Sequence, residues 1–127
     1  MLASPVYFAS ANGTLISFLD RLFYNVKVDC RMKVGASIAV ARRGGASSTF
    51  DELNKYFLKN NMVVPGSAYW NSVHGHKQGE AVNDSEGLQV VDILAKNMTF
   101  LMRSIALGKE QFGLFEYPKE LKTNFIR

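Results

Sequence analysis

The stretch VGASIAVARRGGASSTFDEL, residues 34–53, decides the fold class, because it joins a strand to a helix through a short turn. Its first part, Val34–Ala41, is small or β-branched and carries no charge. Such a run is typical of a strand that is covered on both faces of a parallel sheet. After the turn, Thr49 stands three residues before Glu52, and this capping-box pattern predicts that a helix begins there. A strand followed directly by a helix indicates an α/β fold.

The segments on both sides repeat this order. Residues 13–24, GTLISFLDRLFY, place apolar side chains at helical spacing and predict an amphipathic helix. Before it, Met1–Ala3 predict only a strand stub that leads into a Ser-Pro turn. The segment MVVPGSAYW predicts a third strand that begins at Met62 and is cut short by Pro65–Gly66. We therefore expect about three parallel strands flanked by helices.

A long helix is predicted towards the carboxyl end. The helix is predicted to run from about Glu86 to about Leu107 and carries a wide apolar stripe, and its candidate N-caps are Asn83, Asp84 and Ser85. Residues 108–127 mix aromatic side chains with lysines and turn residues, so we expect a tail that is irregular or packed over a neighbour.

Composition limits the class of protein. The 127 residues are 47% hydrophobic and 20% charged, which predicts one globular domain over residues 1–127. The net charge of +4 favours phosphate-bearing ligands, but the basic residues form no strong patch, so we expect no nucleic-acid partner. With Cys30 alone, we expect no disulfide and no metal site. No apolar run is long enough to cross a membrane, and we expect a cytoplasmic protein.

Ligands of open parallel sheets bind outside the carboxyl ends of the strands. Three loops are predicted to meet there, at residues 4–13, 42–48 and 66–83.

Four motifs in these loops carry a resemblance to a known family. SPVYFASANGTLISFLDR, ARRGGA, PGSAYWNSVHG and DSEGLQ resemble, in their order and spacing, the second half of the flavodoxin-like NAD(P)H-dependent FMN reductases. The resemblance extends to about residue 107 and leaves 108–127 as a tail. It implies a partial flavodoxin-like sheet and a flavoprotein that passes a hydride from NAD(P)H to FMN. Electrons would then continue to a quinone, a free flavin or another acceptor.

The resemblance also implies which residues bind the cofactor. The Ser-Pro loop would lie against the isoalloxazine, the loop after the next strand would reach the pyrimidine side, and an aromatic residue would stack on a ring. These positions are Ser4, Pro5, Val6, Tyr7, Arg42, Arg43, Gly44, Gly45 and Trp70. No catalytic residue is assigned.

The residues themselves leave alternatives open. Arg42 or Arg43 could bind the phosphate of a nicotinamide dinucleotide, or simply lie in a solvated turn. Tyr7 and Trp70 could be core or interface aromatics rather than stacking partners. His74-x-His76 is a poor metal motif, because two imidazoles in a loop do not complete a site.

Members of the family begin with a strand, a phosphate-binding loop and a further βα unit, and none of these precedes Met1 in this sequence. We therefore expect a chain truncated to the carboxyl-terminal half of the family, with weakened FMN binding and no iron–sulfur cluster. An unpaired sheet edge would favour a homo-oligomer. The alternative functions are a non-catalytic self-associating or partner-binding module and, on charge alone, a nucleic-acid-binding module.

Overall fold

The computed structural model describes residues 1–25, 27–119 and 121–125. In chain order the elements are strands β1 (Leu2–Tyr7) and β2 (Ser10–Ala11), helix α1 (Gly13–Asn25), strand β3 (Ser37–Ala41), helix α2 (Ala46–Lys59), strand β4 (Ser72–His74), a 3-10 turn (Glu80–Asn83) and helix α3 (Ser85–Phe112). The strands form one sheet in the order β2-β1-β3-β4. β1, β3 and β4 are parallel, and β2 is antiparallel to β1. The predicted α/β fold is confirmed, with four strands instead of about three.

The Ser-Pro segment lies inside a strand, so the predicted strand stub and turn are wrong at this point. Leu2 donates its N–H to Ala36 O at 2.9 Å, on the β3 side. Alternate residues of a parallel strand bond to the same neighbour, so the backbone N–H of Ser4 also points towards β3, while the nitrogen of Pro5 points to the other edge of β1. β2 begins to pair only at Val6. The missing N–H of Pro5 therefore costs no hydrogen bond, and proline is tolerated there.

The third predicted strand, from Met62, is also wrong. This segment contributes one isolated parallel bridge, between Val34 and Val63. After Pro65 and Gly66 the chain re-enters the sheet, and β4 begins ten residues later than predicted, at Ser72. Pro65 and Gly66 end the pairing of this segment, as expected, but the strand itself, β4, is formed by residues that follow them.

Helix α2 begins three residues before the predicted position at Thr49. Its N-cap is Gly45, whose φ of 91° is in the left-handed region that favours glycine. Thr49 donates its backbone N–H to Gly45 O at 3.1 Å, so it is already inside the helix. The Glu52 carboxylate does not form a capping box; it accepts from Ser10 Oγ and Ala11 N at 2.8 and 2.9 Å.

The core lies between the sheet and helices α1 and α2. Ala11, Leu19 and Leu53 form a buried cluster, and Leu2 and Phe23 pack against it. This face of the sheet is fixed to α2 by polar contacts as well. Ser37 Oγ, fully buried in β3, donates to Asn54 Oδ1 at 2.6 Å. β3 is thus held between β1, β4 and α2, which gives the loop after it a rigid base.

Helix α3 has the predicted N-cap Asp84, whose side chain accepts from Gly87 N at 3.0 Å. It continues to Phe112, five residues beyond the predicted end at Leu107. Within the described residues, none of the helices is both long enough and apolar enough to span a membrane.

Candidate functional site

The carboxyl ends of β1 and β3 lie side by side, because Leu2–Pro5 pair in parallel register with Ser37–Val40. β1 ends at Tyr7 and β3 at Ala41, so the turn after β1 and the loop 42–45 leave the sheet at the same edge. The backbone after β4 arrives there too, since Gly75 donates its N–H to Ala41 O at 3.1 Å. We call this region the carboxyl edge: residues 6–9, 42–45 and 74–80.

The turn after β1 is packed onto the start of α2. A Cβ built on Gly45 would lie 2.7 Å from Ala9 Cα and 2.8 Å from Val6 Cγ1. Ser48 Oγ, in the first turn of α2, donates to Ala9 O at 2.6 Å. Glycine is therefore required at position 45 both by its left-handed φ and by this close approach. The contact fixes the turn after β1 relative to the loop 42–45.

This turn contains backbone strain. Phe8 and Ala9 have φ values of 50° and 60°, in the left-handed region that costs a non-glycine residue about 1–2 kcal/mol. They are the two central residues of a hairpin between Tyr7 and Ser10, where a positive φ at both positions matches the twist of the strands. Phe8 is fully exposed, with no neighbour covering its ring. Sequence reasoning missed Phe8, and the signal would have been an aromatic residue at the tip of a two-residue turn.

The charge around the loop is positive. Arg42, Arg43 and Gly44 are exposed, and the first turn of α2 that follows carries no acidic side chain. A helix N-terminus presents free N–H groups and the positive end of the helix dipole. The nearby Glu52 carboxylate is already bonded to β2. The carboxyl edge therefore suits an anionic or electron-rich group.

The four residues of the Ser-Pro motif do not share one side of the sheet. Ser4 is buried, and its hydroxyl accepts from Asn12 N and donates to Pro5 O, both at 2.8 Å. Side chains alternate along a strand, so Ser4 and Val6 face α2, whereas Pro5 and Tyr7 face the opposite side and are exposed. Ser4 is occupied by internal hydrogen bonds; Tyr7 remains accessible.

Trp70 lies before β4, whereas the loops that leave the sheet at the carboxyl edge follow their strands. Its ring and that of Tyr69 are tilted, with centroids 4.8 Å apart. Both line a hollow of about 260 Å³ together with Ser72 and His74. The structure thus brings Val6, Tyr7 and the loop 42–45 together at the ends of β1 and β3. Trp70 precedes β4 and lines a hollow that reaches His74, at the β4 end of the carboxyl edge.

Two carboxylates organise the backbone after β4, and sequence reasoning assigned them no such role. Asp84 Oδ2 accepts from His74 N at 2.6 Å, and the same oxygen lies 3.5 Å from His74 Nδ1. The N–H donors of Gly87 and His74 hold the pKa of Asp84 below its ordinary value. Glu80 accepts from His76 N and Lys77 N at 2.8 and 2.9 Å, which lowers the pKa of Glu80 in the same way.

The same two carboxylates bind the backbone of the His74-x-His76 motif. The amide of each histidine is bonded to a different carboxylate, Asp84 or Glu80. In the part of the chain that the structure describes, no three His, Cys, Asp or Glu side chains are grouped closely enough to hold a metal ion.

Comparison with known sequences identifies the family. The sequence profile of the NADPH-dependent FMN reductases matches residues 1–77, which include β1 to β4 and the whole loop 42–45. The chain belongs to this family. Its members are flavin-binding oxidoreductases, so the resemblance inferred from the motifs is confirmed at that level.

A curated relative gives a second comparison. The chain is 30% identical, over 113 residues, to an iron–sulfur flavoprotein of Methanocaldococcus jannaschii. The match covers 83% of this chain and 58% of the relative, so the chain spans little more than half of that protein's length.

One prediction about the FMN reductase family is corrected. The expectation that this chain is truncated to the carboxyl-terminal half of the family is contradicted by the match, which lies at residues 1–77, in the amino-terminal part of the chain.

Proposed function

We propose that this FMN reductase homologue binds FMN at the carboxyl edge and transfers a hydride from NAD(P)H to it. The observation that carries the proposal is the contact of Val6 and Ala9 with Gly45. It fixes the turn after β1 beside Arg42 and Arg43, at the edge where ligands of parallel sheets bind. The family match, which includes all of these residues, supports the same cofactor.

The residues present fit an isoalloxazine ring. A Cβ built on Gly44 would meet no atom within 4 Å, so the backbone of this loop is open to a flat ligand. Tyr7 and Phe8 are exposed aromatic side chains at the end of β1 and can stack on a ring. Together they offer one open backbone surface and two aromatic faces at a single edge.

The chemistry is divided between cofactor and chain. FMN, when bound, supplies the redox chemistry, since it accepts a hydride and passes the electrons on. The protein binds and orients the ring and balances charge. Arg42 and Arg43 place positive charge beside a ring that becomes anionic when reduced, and the N-terminus of α2 adds to the same field. No side chain is assigned a proton transfer.

The proposal concerns the flavin ring and not a metal cluster. The relative is named an iron–sulfur flavoprotein, but the 127 residues of this chain contain one cysteine. We therefore make no corresponding proposal for a cluster in this chain.

Flavin titration tests the binding step. We expect FMN fluorescence to change saturably on addition of the protein, and riboflavin, which has the ring without the phosphate, to bind as well. The double variant Arg42→Ala/Arg43→Ala should weaken FMN binding about tenfold or more, since hydrogen bonds to charged groups contribute about 1.5–3 kcal/mol. The matched control is Arg21→Ala, which removes an exposed arginine on α1. Equal FMN affinities of the wild type, the double variant and Arg21→Ala would refute the site, and so would the absence of a saturable signal with the wild type.

NADPH oxidation tests the transfer step. With FMN bound, the absorbance of NADPH at its reduced-form band should fall in the presence of excess acceptor, faster than in the same mixture without protein. A protein that binds FMN but leaves NADPH unchanged would refute the hydride transfer and leave flavin binding standing.

A further inference from the structure

The exposed ring of Phe8 is carried by a very small element. Strands β1 and β2 pair at only two positions, and β2 has two residues. We call residues 6–11 the β1–β2 hairpin. An isolated two-stranded hairpin is marginally stable in water, and the positive φ values of Phe8 and Ala9 add strain. This hairpin therefore depends on contacts from another element to hold one conformation.

One side of α2 provides these contacts. The N-cap Gly45, Ser48 and Glu52 follow each other at spacings of three and four residues, which brings them to the same side of the helix. The first two contact the turn of the hairpin at Ala9. Glu52, one turn further along α2, contacts the strand that returns from the turn.

The Glu52 carboxylate holds both residues of β2. Its Oε2 accepts from Ser10 Oγ at 2.8 Å and from Ala11 N at 2.9 Å. Hydrogen bonds to an ionised acceptor are stronger than those between neutral groups. Ala11 is buried, at 4% exposure, and a buried backbone N–H that loses its acceptor is costly. Removal of the Glu52 side chain should therefore release this part of the hairpin from α2.

Glu52 itself lies outside the carboxyl edge. It lines the hollow between α1 and α2, together with Asp20 and Tyr56. Its negative charge also disfavours direct contact with an anionic ligand. An effect of Glu52 on a ligand at the carboxyl edge must therefore pass through the β1–β2 hairpin, whose tip presents the fully exposed Phe8.

We propose that Glu52 is a positioning residue of the FMN site: by holding Ser10 and Ala11 it fixes the direction of the Phe8 ring at the carboxyl edge. The inference rests on the proposed function for its ligand. The hold of Glu52 on the hairpin does not depend on flavin and can be measured without it.

Amide hydrogen exchange of the flavin-free protein tests this hold. Glu52→Ala should accelerate exchange of the Ala11 amide about tenfold or more, because hydrogen bonds to charged groups are lost. Glu52→Gln should keep the protection, since both bonds end on one oxygen and glutamine retains one carbonyl oxygen. Asp51→Ala, which removes the same charge at an exposed neighbouring position on α2, should leave Ala11 unchanged.

Exchange of the α2 amides in the same experiment shows whether the helix is retained. Unchanged exchange of Ala11 in Glu52→Ala would overturn the proposal. If Glu52→Ala fails to fold, Ser10→Ala decides the case, because it removes one of the two donors and leaves α2 intact. It should accelerate exchange of Ala11 about threefold, and an unchanged rate would overturn the proposal equally.

A double-mutant cycle with Phe8 tests the role in flavin binding. Glu52→Ala should weaken FMN binding about three- to tenfold, the range expected for a lost aromatic contact, and Glu52→Gln should restore it. In a Phe8→Ala background, Glu52→Ala should cause little further loss, because the ring that it positions is absent. A general loss of stability would weaken binding in both backgrounds alike, and equal losses would overturn the proposal.

Failure of this inference differs from failure of the proposed function. A wild-type chain that binds no FMN would overturn the proposed function and, with it, this role of Glu52. FMN binding that is the same in the wild type and Glu52→Ala would overturn the role of Glu52 alone.

Discussion

Helices α2 and α3 differ in how the chain covers their apolar surfaces. In α2, of 14 residues, buried positions recur from Thr49 to Phe57, and they face the sheet and α1. In α3, of 28 residues, the last buried position is Leu94, before the middle of the helix. Burial in α2 is explained by the fold of one chain. The apolar residues of α3 beyond Leu94 contribute little to that fold, so they indicate contacts with something outside it.

The same difference bears on the candidate site. The turn and loop offered for FMN are anchored to the covered helix α2, through Gly45 and Ser48. The part of α3 beyond Leu94, all of which the structure describes, holds no buried residue. Substitutions in α2 and its loop should therefore disturb the fold and the candidate site more than substitutions in the far part of α3. Four predictions sharpen this comparison, from the largest expected effect to the smallest.

Leu53→Ala should cause the largest loss. Leu53 is fully buried between α2 and the sheet, and such truncations cost about 2–5 kcal/mol in the free energy of unfolding. Leu107→Ala makes the same change on α3 at a side chain that is 66% exposed, and should cost less than about 0.5 kcal/mol. Urea denaturation measures both. Equal losses would contradict the contrast between the helices.

Gly45→Ala should cause the next largest loss in the free energy of unfolding, about 1–3 kcal/mol. Alanine is strained at a φ of 91°, and its Cβ would collide with Ala9 and Val6. FMN affinity should fall with it, since the turn after β1 must move. The neighbouring Gly44→Ala has open space for a Cβ and an ordinary φ, and should change stability by less than about 0.5 kcal/mol. Thermal unfolding of the two variants would be compared, and equal melting temperatures would contradict this role for Gly45. Flavin titration would compare Gly45→Ala with the wild type.

Asp84→Asn should cost about 0.5–1.5 kcal/mol in the free energy of unfolding, because an amide has one acceptor oxygen and can keep only one of the two hydrogen bonds, from Gly87 N and from His74 N. The folded-state pKa of Asp84 lies below its ordinary value of 3.8. Its charge therefore contributes stability that is present above 3.8 and is lost as the pH falls from there through the folded pKa. Melting temperatures of the wild type should drop below pH 4 more steeply than those of the Asn variant. An equal fall in melting temperature for the wild type and Asp84→Asn below pH 4 would contradict this role of the Asp84 charge.

Phe8→Gly should show the smallest effect, a gain of about 0.5–1 kcal/mol, since glycine removes the strain of φ 50° at some entropic cost. FMN binding should nevertheless weaken, because the exposed ring is lost. Phe8→Ala keeps the strain and removes the ring, so it should weaken binding without the gain in stability. Unchanged binding in both variants would remove Phe8 from the proposed site.

The sequence predicted those parts of the fold that depend on local pattern. The run Val34–Ala41 contains β3, the glycines of the loop precede a helix, and Asp84 caps α3. The sequence could not predict that Pro5 lies inside a strand, because this position is tolerated only when the other edge of β1 forms the hydrogen bonds to β3. It also misplaced the start of α2, because Glu52, read as half of a capping box, binds Ser10 and Ala11 from a distant turn.

For the candidate site, the segments that follow β1 and β3 do meet at one edge of the sheet, as the sequence predicted. The predicted loops 4–13 and 66–83, however, themselves contain strands, and the binding of a cofactor by these residues stays a prediction. Alternation along β1 separates Ser4 from Tyr7, and this follows only once the segment is known to be a strand. Trp70 lies before β4 because the strand begins at Ser72 and not at Met62. Each of these differences follows from one long-range pairing that no local pattern encodes.

The Asp84 carboxylate also has a mechanical consequence. One of its oxygens accepts from the amide of His74, at the end of β4, and the other accepts from Gly87 N, in the first turn of α3. This side chain therefore attaches the start of α3 to the sheet. A tilt of α3 by about 5° about this attachment would displace its far end by about 4 Å, because the helix is about 42 Å long. The hydrogen bond from Asn97 Nδ2 to Gly66 O, 2.9 Å long, opposes such a tilt, so Asp84 and Asn97 together fix the direction of α3.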